Sequence, residues 1–346
     1  MARTLYLDDG PGEARGVVVL DGRPERLLLA RASDRPEHAP GARLRGRVRR
    51  IDRALASAFV AAASELDAIL PLTGEAARLH EGAAVEIEVM SPPRRGKGAV
   101  VRLIGPAEGD PVLLRPAPPL AEQLQAFAPG AVVVRGAEAR ATADQAEAEA
   151  LAVVHRLPSG GAVSIEPTRA LVAIDVDVGA ARGDARRAAV RANLDAVAVA
   201  ARLLRLKGLG GPAVIDLAGK GHDGEALKRA AVAAFAPDQP GVAFGPIDRF
   251  GLWALVLPRR TAPVAEILCS VEGLLTDESL AIRLLREIEG QAGPGQRVEA
   301  RASPKVALAA EALAPHLLGR IGARFRIVAD PVVGRDAAIV APRSGG

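Results

Sequence analysis

The chain of 346 residues contains one cysteine, Cys269. No intramolecular disulfide can form, which fits a reducing compartment and leaves the fold to non-covalent packing. Aromatic residues make up only 2% of the chain, so its cores must be built from aliphatic side chains and alanine. No run of about 20 uncharged apolar residues occurs, which excludes a helix spanning a bilayer. The first residues, Met1 to Tyr6, lack the apolar segment of a secretory signal. The expected location is therefore cytoplasmic, with no membrane partner. The five histidines, His38, His80, His155, His222 and His316, are scattered without metal-ligand spacing. Of these, His222 falls nearest the features below and is expected as a solvent-exposed loop residue.

What is present describes a folded protein. Hydrophobic residues reach 49% and charged residues 25%, and the length allows two or three domains. The net charge of +4 is mild, but arginine dominates the cations. Its planar fork donates two bonds at once and suits carboxylate or phosphate partners.

Two short stretches carry the most information: Val172-Ala173-Ile174-Asp175-Val176-Asp177 and Ala213-Val214-Ile215-Asp216. Each is an apolar run ending on aspartate, and a helical segment lies between them. The pattern reads as a β-α-β unit, whose parallel strands expose their C-terminal ends on one side of a sheet. Asp175 and Asp216 then sit close in space, and Asp177 points the same way as Asp175 because strand side chains alternate with period two. Two or three converging carboxylates suit a hard cation such as Mg²⁺. The same aspartates equally start turns and cap helices, so both readings stand.

Segments elsewhere complete the outline. Gly16 to Leu20 and Arg26 to Ala32 read as a hairpin about Asp21-Gly22. Five short strands follow, 42–51, 56–63, 67–72, 84–90 and 99–104, with a helical turn at 74–79. That is the outline of an OB-type barrel. In its first strand Arg43, Arg45, Arg47 and Arg49 alternate with small or apolar residues, so all four project from one face. Arg94, Arg95 and Lys97 add a basic loop. This face either follows a phosphate backbone or is a solvated strand surface. Residues 105–130 read as a linker rich in proline, alanine and glycine. A strand is expected at 131–135, a helix at 141–155, strands at 162–166, 171–176 and 212–217, and helices at 184–206 and 224–235. Two strands broken near Gly245-Pro246 fill 242–257. The tail reads as helix 277–289, strand 297–302, helix 305–321 and two final strands.

With these segments placed, the chain resembles the ribonuclease E/ribonuclease G family of endoribonucleases. The resemblance rests on Leu44-Arg45-Gly46-Arg47-Val48, Ala58-Phe59-Val60, Ile69-Leu70-Pro71-Leu72 and Gly96-Lys97-Gly98-Ala99 in the barrel. It continues through Thr168-Arg169-Ala170-Leu171, Ala173-Ile174-Asp175-Val176-Asp177, Asn193-Leu194, Leu204-Arg205-Leu206-Lys207-Gly208, Val214-Ile215-Asp216 and Arg249-Phe250-Gly251-Leu252. It implies an α+β multi-domain fold: an OB-type five-stranded barrel before an α/β subdomain similar to deoxyribonuclease I, then a small C-terminal α/β domain. The implied divisions are 1–37, strands packing on the main α/β unit; 38–105, the RNA-binding barrel; 106–157, a linker and reduced sensor segment; 158–262, the catalytic subdomain; 263–275, a remnant of a zinc-link segment; and 276–346.

The resemblance further implies that Asp175 and Asp216 hold a catalytic Mg²⁺, with Asp177 as a third catalytic carboxylate where family members carry asparagine. Single-stranded RNA would be hydrolysed to a 5′-phosphate and a 3′-hydroxyl. Arg45, Arg47, Arg49, Phe59, Lys97 and Arg135 are the implied RNA-binding residues, Phe59 as a base-stacking ring with core packing as its other reading. Gly136 follows Arg135 where the family's 5′-end sensor has threonine, so strong 5′-end sensing is not expected. Arg169 replaces a glutamate. Glu266 and Cys269 occupy the positions of a Cys-x-x-Cys pair. Two chains supply too few thiolates for a Cys₄ zinc bridge, so any homo-oligomer must form otherwise. The alternative reading is a non-catalytic RNA-binding adaptor derived from the same family. A small-nucleotide phosphohydrolase is a third reading, for which an arginine-lined barrel would serve no purpose.

Overall fold

The computed structural model describes residues 3–63, 65–94, 96–180, 184–220 and 222–342. Arg95 of the basic loop, and the chain ends 1–2 and 343–346, lie outside the described residues. Among the described residues no helix is long and apolar enough to cross a membrane.

Strands β1 (Arg3–Gly10), β2 (Glu13–Leu20) and β3 (Arg23–Arg31) form an antiparallel meander. Asp21 and Gly22 both take positive φ, 47° and 78°, as a tight hairpin with the native strand twist requires. Strand β1 is hidden in the sequence because Asp8 breaks its apolar pattern. In the fold Asp8 is buried, with its charge met by Arg15.

The barrel follows: β4 (Arg43–Asp52), β5 (Ser57–Ala61), β6 (Ala68–Pro71), β7 (Ala84–Ser91) and β8 (Val100–Pro106). The pairing order runs β4-β5-β6-β8-β7 and returns to β4, with β6 and β8 parallel and the other pairs antiparallel. Alternate residues Leu44, Gly46 and Val48 of β4 face inward beside Val60, Leu70, Val85, Ile87 and Val101. Gly46 is required there, since a Cβ would lie 2.5 Å from Cγ1 of Val60. The stretch expected as a linker instead holds β9 (Val112–Arg115), which pairs with β4, and α1 (Leu120–Gln125). Leu120 and Leu124 of α1 bury against Leu5, Leu7 and Val18 of the meander.

Next come β10 (Val133–Val134), parallel to β1, and α2 (Ala137–Leu151). The helix begins four residues earlier than expected and ends before His155, which lies in β11 (Val154–Arg156). Its buried stripe is Ala139, Ala143, Ala146 and Ala150, at helical spacing. Then follow β12 (Ala162–Pro167), β13 (Val172–Asp177), α3 (Ala185–Leu206), β14 (Gly211–Asp216), α4 (Gly224–Ala234), β15 (Ala243–Ile247) and β16 (Leu252–Leu257). The sheet order is β11-β12-β13-β14-β16-β15, with only β13 and β14 parallel. The break between β15 and β16 is a turn at 248–251, not Gly245-Pro246. Helix α3 is capped by Asp184, which accepts from the amides of Arg186 and Arg187. It ends at Lys207, whose buried amine donates to the Ala150 carbonyl at 2.9 Å and to that of Ala152. Those are orphan carbonyls at the end of α2, so one side chain ties two helices. Burial pulls the Lys207 amine down to about 8.

After α5 (Val264–Leu268), a C-terminal unit is formed by α6 (Asp277–Gln291), β17 (Val298–Ala302), α7 (Pro304–Ile321), β18 (Phe325–Ala329) and β19 (Ala338–Pro342). It has its own core around Leu284, Leu285, Val298 and Ala310. The chain is thus an α+β multi-domain protein with an OB-type barrel.

A buried ion network joins these parts. Arg15 of β2 donates to Asp8 at 2.6 Å and to Glu147 of α2 at 3.0 Å. Glu147 also accepts from Arg283 of α6 at 2.6 Å. Arg286 of α6 pairs with Glu13, which also accepts from Arg31 of β3 at 2.7 Å. Burial alone would raise the Glu147 carboxyl, but the Arg283 hydrogen bond and the charges of Arg15 and Arg286 hold it below the ordinary glutamate range. Removing one member of a buried pair strands the other. Arg15→Met should therefore lower the unfolding free energy by about 3–5 kcal/mol in urea titrations. A depressed carboxyl contributes stability above its unfolded value near pH 4.3 and loses it as the pH falls. Glu147→Gln should accordingly flatten the acid limb of the stability profile.

Candidate active site

The site is built by the register of one sheet. Ile165, Ile174, Ile215 and Trp253 are successive cross-strand partners, and all four are buried. One residue along, the row is Ser164, Asp175, Asp216 and Leu252, on the opposite face. Period-two alternation forces both aspartates out of the core once the isoleucines are in it. Asp175 and Asp216 are direct partners on adjacent parallel strands, about 4.8 Å apart along the pairing direction. Both are exposed, and neither side chain makes a hydrogen bond or ion pair among the described residues. Asp177 shares the exposed face two residues along β13. Its Oδ1 accepts from the Gly179 amide at 2.8 Å, an Asx turn that ends the strand. Gly161 permits close passage there, because a Cβ at that position would lie 2.1 Å from the Asp177 carbonyl oxygen. Arg169 sits at the other end of β13, away from the carboxylates.

The loop after Asp216 is clamped. The buried Asn193 of α3 donates through Nδ2 to the Ala218 carbonyl at 3.0 Å and accepts from the Ala218 amide at 2.9 Å. Its Nδ2 also lies 3.5 Å from Nδ1 of His222. His222 is consequently half-buried, not the exposed loop residue expected, and its ring lies against Gly251. The Leu217 amide donates to the Gly251 carbonyl at 3.1 Å. Beyond the loop that leaves β14, a cleft of about 1030 Å³ opens between α4 and the turn joining β15 to β16, lined by Lys220, His222, Glu225, Lys228, Asp248, Arg249, Phe250 and Trp253, among others; neither Asp175 nor Asp216 lines it. Lys220 and Lys228 belong to no motif; nearness to Asp216 in sequence is their sole signal.

Other expected binding residues lie elsewhere. Arg45, Arg47 and Arg49 do lie on one barrel face, but they are engaged. Arg45 and Arg47 donate to the carbonyls of Asp110, Gly82 and Gly109, and Arg49 pairs with Asp67 at 3.5 Å. Phe59 lies outside the barrel core, half-buried, with the Arg50 guanidinium 4.3 Å from its ring centre. Lys97 is exposed on the loop before β8. Arg135 is exposed just after β10, at the edge of the N-terminal sheet and not on the sheet of the aspartates. Cys269 is half-buried against the main core, and burial pushes its thiol up.

A divalent metal fits the pair by its donor chemistry. Two adjacent, exposed carboxylates suit a hydrated Mg²⁺, which takes one or two such groups and keeps several waters. Among the described residues no group of three or more His, Cys, Asp or Glu side chains forms an all-protein cage.

Residues 135–260 match the sequence model of the Ribonuclease E/G family. Ribonuclease E of Escherichia coli is 36% identical over 149 residues, covering 40% of this chain and 14% of that protein. Ribonuclease E of Haemophilus influenzae is 36% identical over 149 residues, covering 40% and 16%. Ribonuclease E of Buchnera aphidicola (from Acyrthosiphon pisum) is 33% identical over 166 residues, covering 44% and 18%. The chain thus spans less than a fifth of the length of these curated relatives. The matched segment contains all three aspartates and Asn193. Asn193→Leu should leave the Ala218 backbone unpaired, costing about 1–3 kcal/mol and accelerating amide exchange at Ala218. Unchanged exchange there would show that the clamp does not hold the loop.

Proposed function

Because the chain belongs to the ribonuclease E/G family through residues 135–260, we propose that it is a Mg²⁺-dependent endoribonuclease acting on single-stranded RNA. The observation that carries this reading is the direct pairing of Asp175 with Asp216 on an exposed sheet face, with no ion pair to either among the described residues. Their side chains would hold the metal. When bound, Mg²⁺ lowers the pKa of a coordinated water and takes up charge on the phosphate oxygens.

The chain's own residues do the rest. Asn193 and the Leu217–Gly251 backbone bond fix the loop leaving Asp216, so the two carboxylates keep their spacing when a polyanion approaches. Asp177, tied to the Gly179 amide through one oxygen, keeps the other available for a proton or an ordered water. Lys220, Lys228 and Arg249 outnumber Glu225 and Asp248 in the lining of the cleft beyond the loop leaving Asp216, a net positive balance that attracts phosphates. The barrel, with Phe59 beneath Arg50 and Lys97 on its loop, would extend the RNA path. Hydrolysis leaves a 5′-phosphate and a 3′-hydroxyl. Arg135 is followed by Gly136 and lies on a different sheet from the aspartates, in keeping with cleavage that does not depend strongly on the 5′ end.

The test uses an end-labelled single-stranded RNA with the purified chain in Mg²⁺ or EDTA. Cleavage should require Mg²⁺, and Asp175→Asn and Asp216→Asn should each reduce the rate by roughly 10²-fold or more. Salt-sensitive binding with no cleavage by the unaltered chain would make it an RNA-binding adaptor instead.

A further inference from the structure

Phe250 is unusual among the few aromatic side chains. Phe235 and Phe244 pack with each other at 5.7 Å, and Phe244 packs with the buried Trp253 at 5.8 Å. Phe250 is 70% exposed at the tip of the turn between β15 and β16. Left in water, the ring gains nothing from folding.

The turn that displays it is firmly built. Oδ1 of Asp248 accepts from the amides of Phe250 at 2.8 Å and Leu252 at 2.9 Å. The Asp248 amide donates to the Leu252 carbonyl at 3.0 Å, and Gly251 takes a φ of 90° that side chains disfavour. Two residues beyond Phe250, Leu252 is the cross-strand partner of Asp216. The ring therefore stands on the same strand end as the carboxylate pair, next to the 1030 Å³ cleft.

Charge identifies the occupant. The Arg249 guanidinium lies 4.6 Å from the centre of the Phe250 ring, and the ring stays mostly exposed with that cation beside it. Arg249, Lys220 and Lys228 all line the cleft, and none has a carboxylate partner among the described residues. This contrasts with Arg43 and Arg49 of the barrel and with the arginines of the buried network, which are paired with carboxylates. Glu225 and Asp248 line the cleft as well, leaving a net positive balance, and an exposed ring face flanked by cations suits a planar base on a polyanionic strand.

We propose that Arg249 and Phe250 form a stacking subsite for one nucleobase of single-stranded RNA, beside the phosphate presented to Asp175 and Asp216. Phe250 supplies the ring face, while Arg249, Lys220 and Lys228 meet the flanking phosphates. The subsite rests on the reading of the chain as a single-strand ribonuclease.

Binding of a fluorescent single-stranded oligoribonucleotide, followed by anisotropy in EDTA, separates this contact from cleavage. Phe250→Ala and Phe250→Leu should each weaken binding roughly tenfold, and Phe250→Trp should restore it. Because the ring is exposed, unchanged thermal melting of these variants checks that the fold is kept. When abasic sites are scanned along the oligonucleotide, one position should abolish the difference between the unaltered chain and Phe250→Ala. Lys220→Gln and Lys228→Gln should each reduce the slope of log affinity against log salt by about 0.7. Equal binding by Phe250→Ala and the unaltered chain, alongside normal Mg²⁺-dependent cleavage, would overturn the subsite and leave the nuclease reading standing. Equal weakening at every abasic position would also overturn it, assigning Phe250 to something other than a base. An unaltered chain that neither binds nor cuts RNA would remove the nuclease reading, and the subsite with it.

Discussion

The parallel pairing of β13 with β14 is the constraint on which the candidate site depends. Parallel neighbours need a crossover, and α3 supplies it, burying Ala192, Ala196, Val197, Ala200 and Leu204. The alanines of that list keep the helix close to its neighbours. Once Ile174 and Ile215 share the buried row with Trp253, Asp175 and Asp216 have one place to go. Two like charges side by side repel, and a hard cation or an ordered water relieves that strain at the exposed face. The arrangement is therefore held by hydrophobic burial on one side of the sheet and leaves the two carboxylates exposed on the other.

Polar groups hold the parts around this sheet together. The network from Arg15 through Glu147 to Arg283, and from Arg31 through Glu13 to Arg286, links the N-terminal meander, α2 and α6. Lys207 closes the end of α2 and marks the end of α3. Buried ions contribute little net stability over well-packed apolar residues, but they tolerate few alternatives in geometry. With so few aromatic residues, these directional bonds act beside small aliphatic side chains, Val17, Val19 and Leu27 of the meander among them, that share one core with α2 and α3.

Much of this was legible in the sequence, for identifiable reasons. The barrel strands alternate cleanly because one face is core and the other is solvent, and Asp21-Gly22 is a strong local turn signal. The two strands ending on aspartate lie where expected because each is bounded by a stop. What escaped detection depends on distant partners. Strand β1 reads poorly because the charge on Asp8 is neutralised by an arginine contributed by β2. Strand β9 is four residues long amid proline and glycine, and its pairing with β4 is purely tertiary. His222 looks like a loop histidine until Asn193, on a helix 29 residues earlier, is brought against it. The barrel arginines have the expected spacing, yet spacing does not reveal that carbonyls of Gly82, Gly109 and Asp110 already occupy them.

Cations without a carboxylate partner among the described residues lie in the cleft beyond the loop leaving Asp216, where Lys220, Lys228 and Arg249 share the lining with Glu225 and Asp248. The whole account turns on the proposal that a metal is held by Asp175 and Asp216 together. Titration with Mn²⁺ in place of Mg²⁺, followed by electron paramagnetic resonance, measures this without any RNA. The account predicts a bound-ion signal in the unaltered chain that is lost in both Asp175→Asn and Asp216→Asn. Undiminished Mn²⁺ binding in either variant would contradict it.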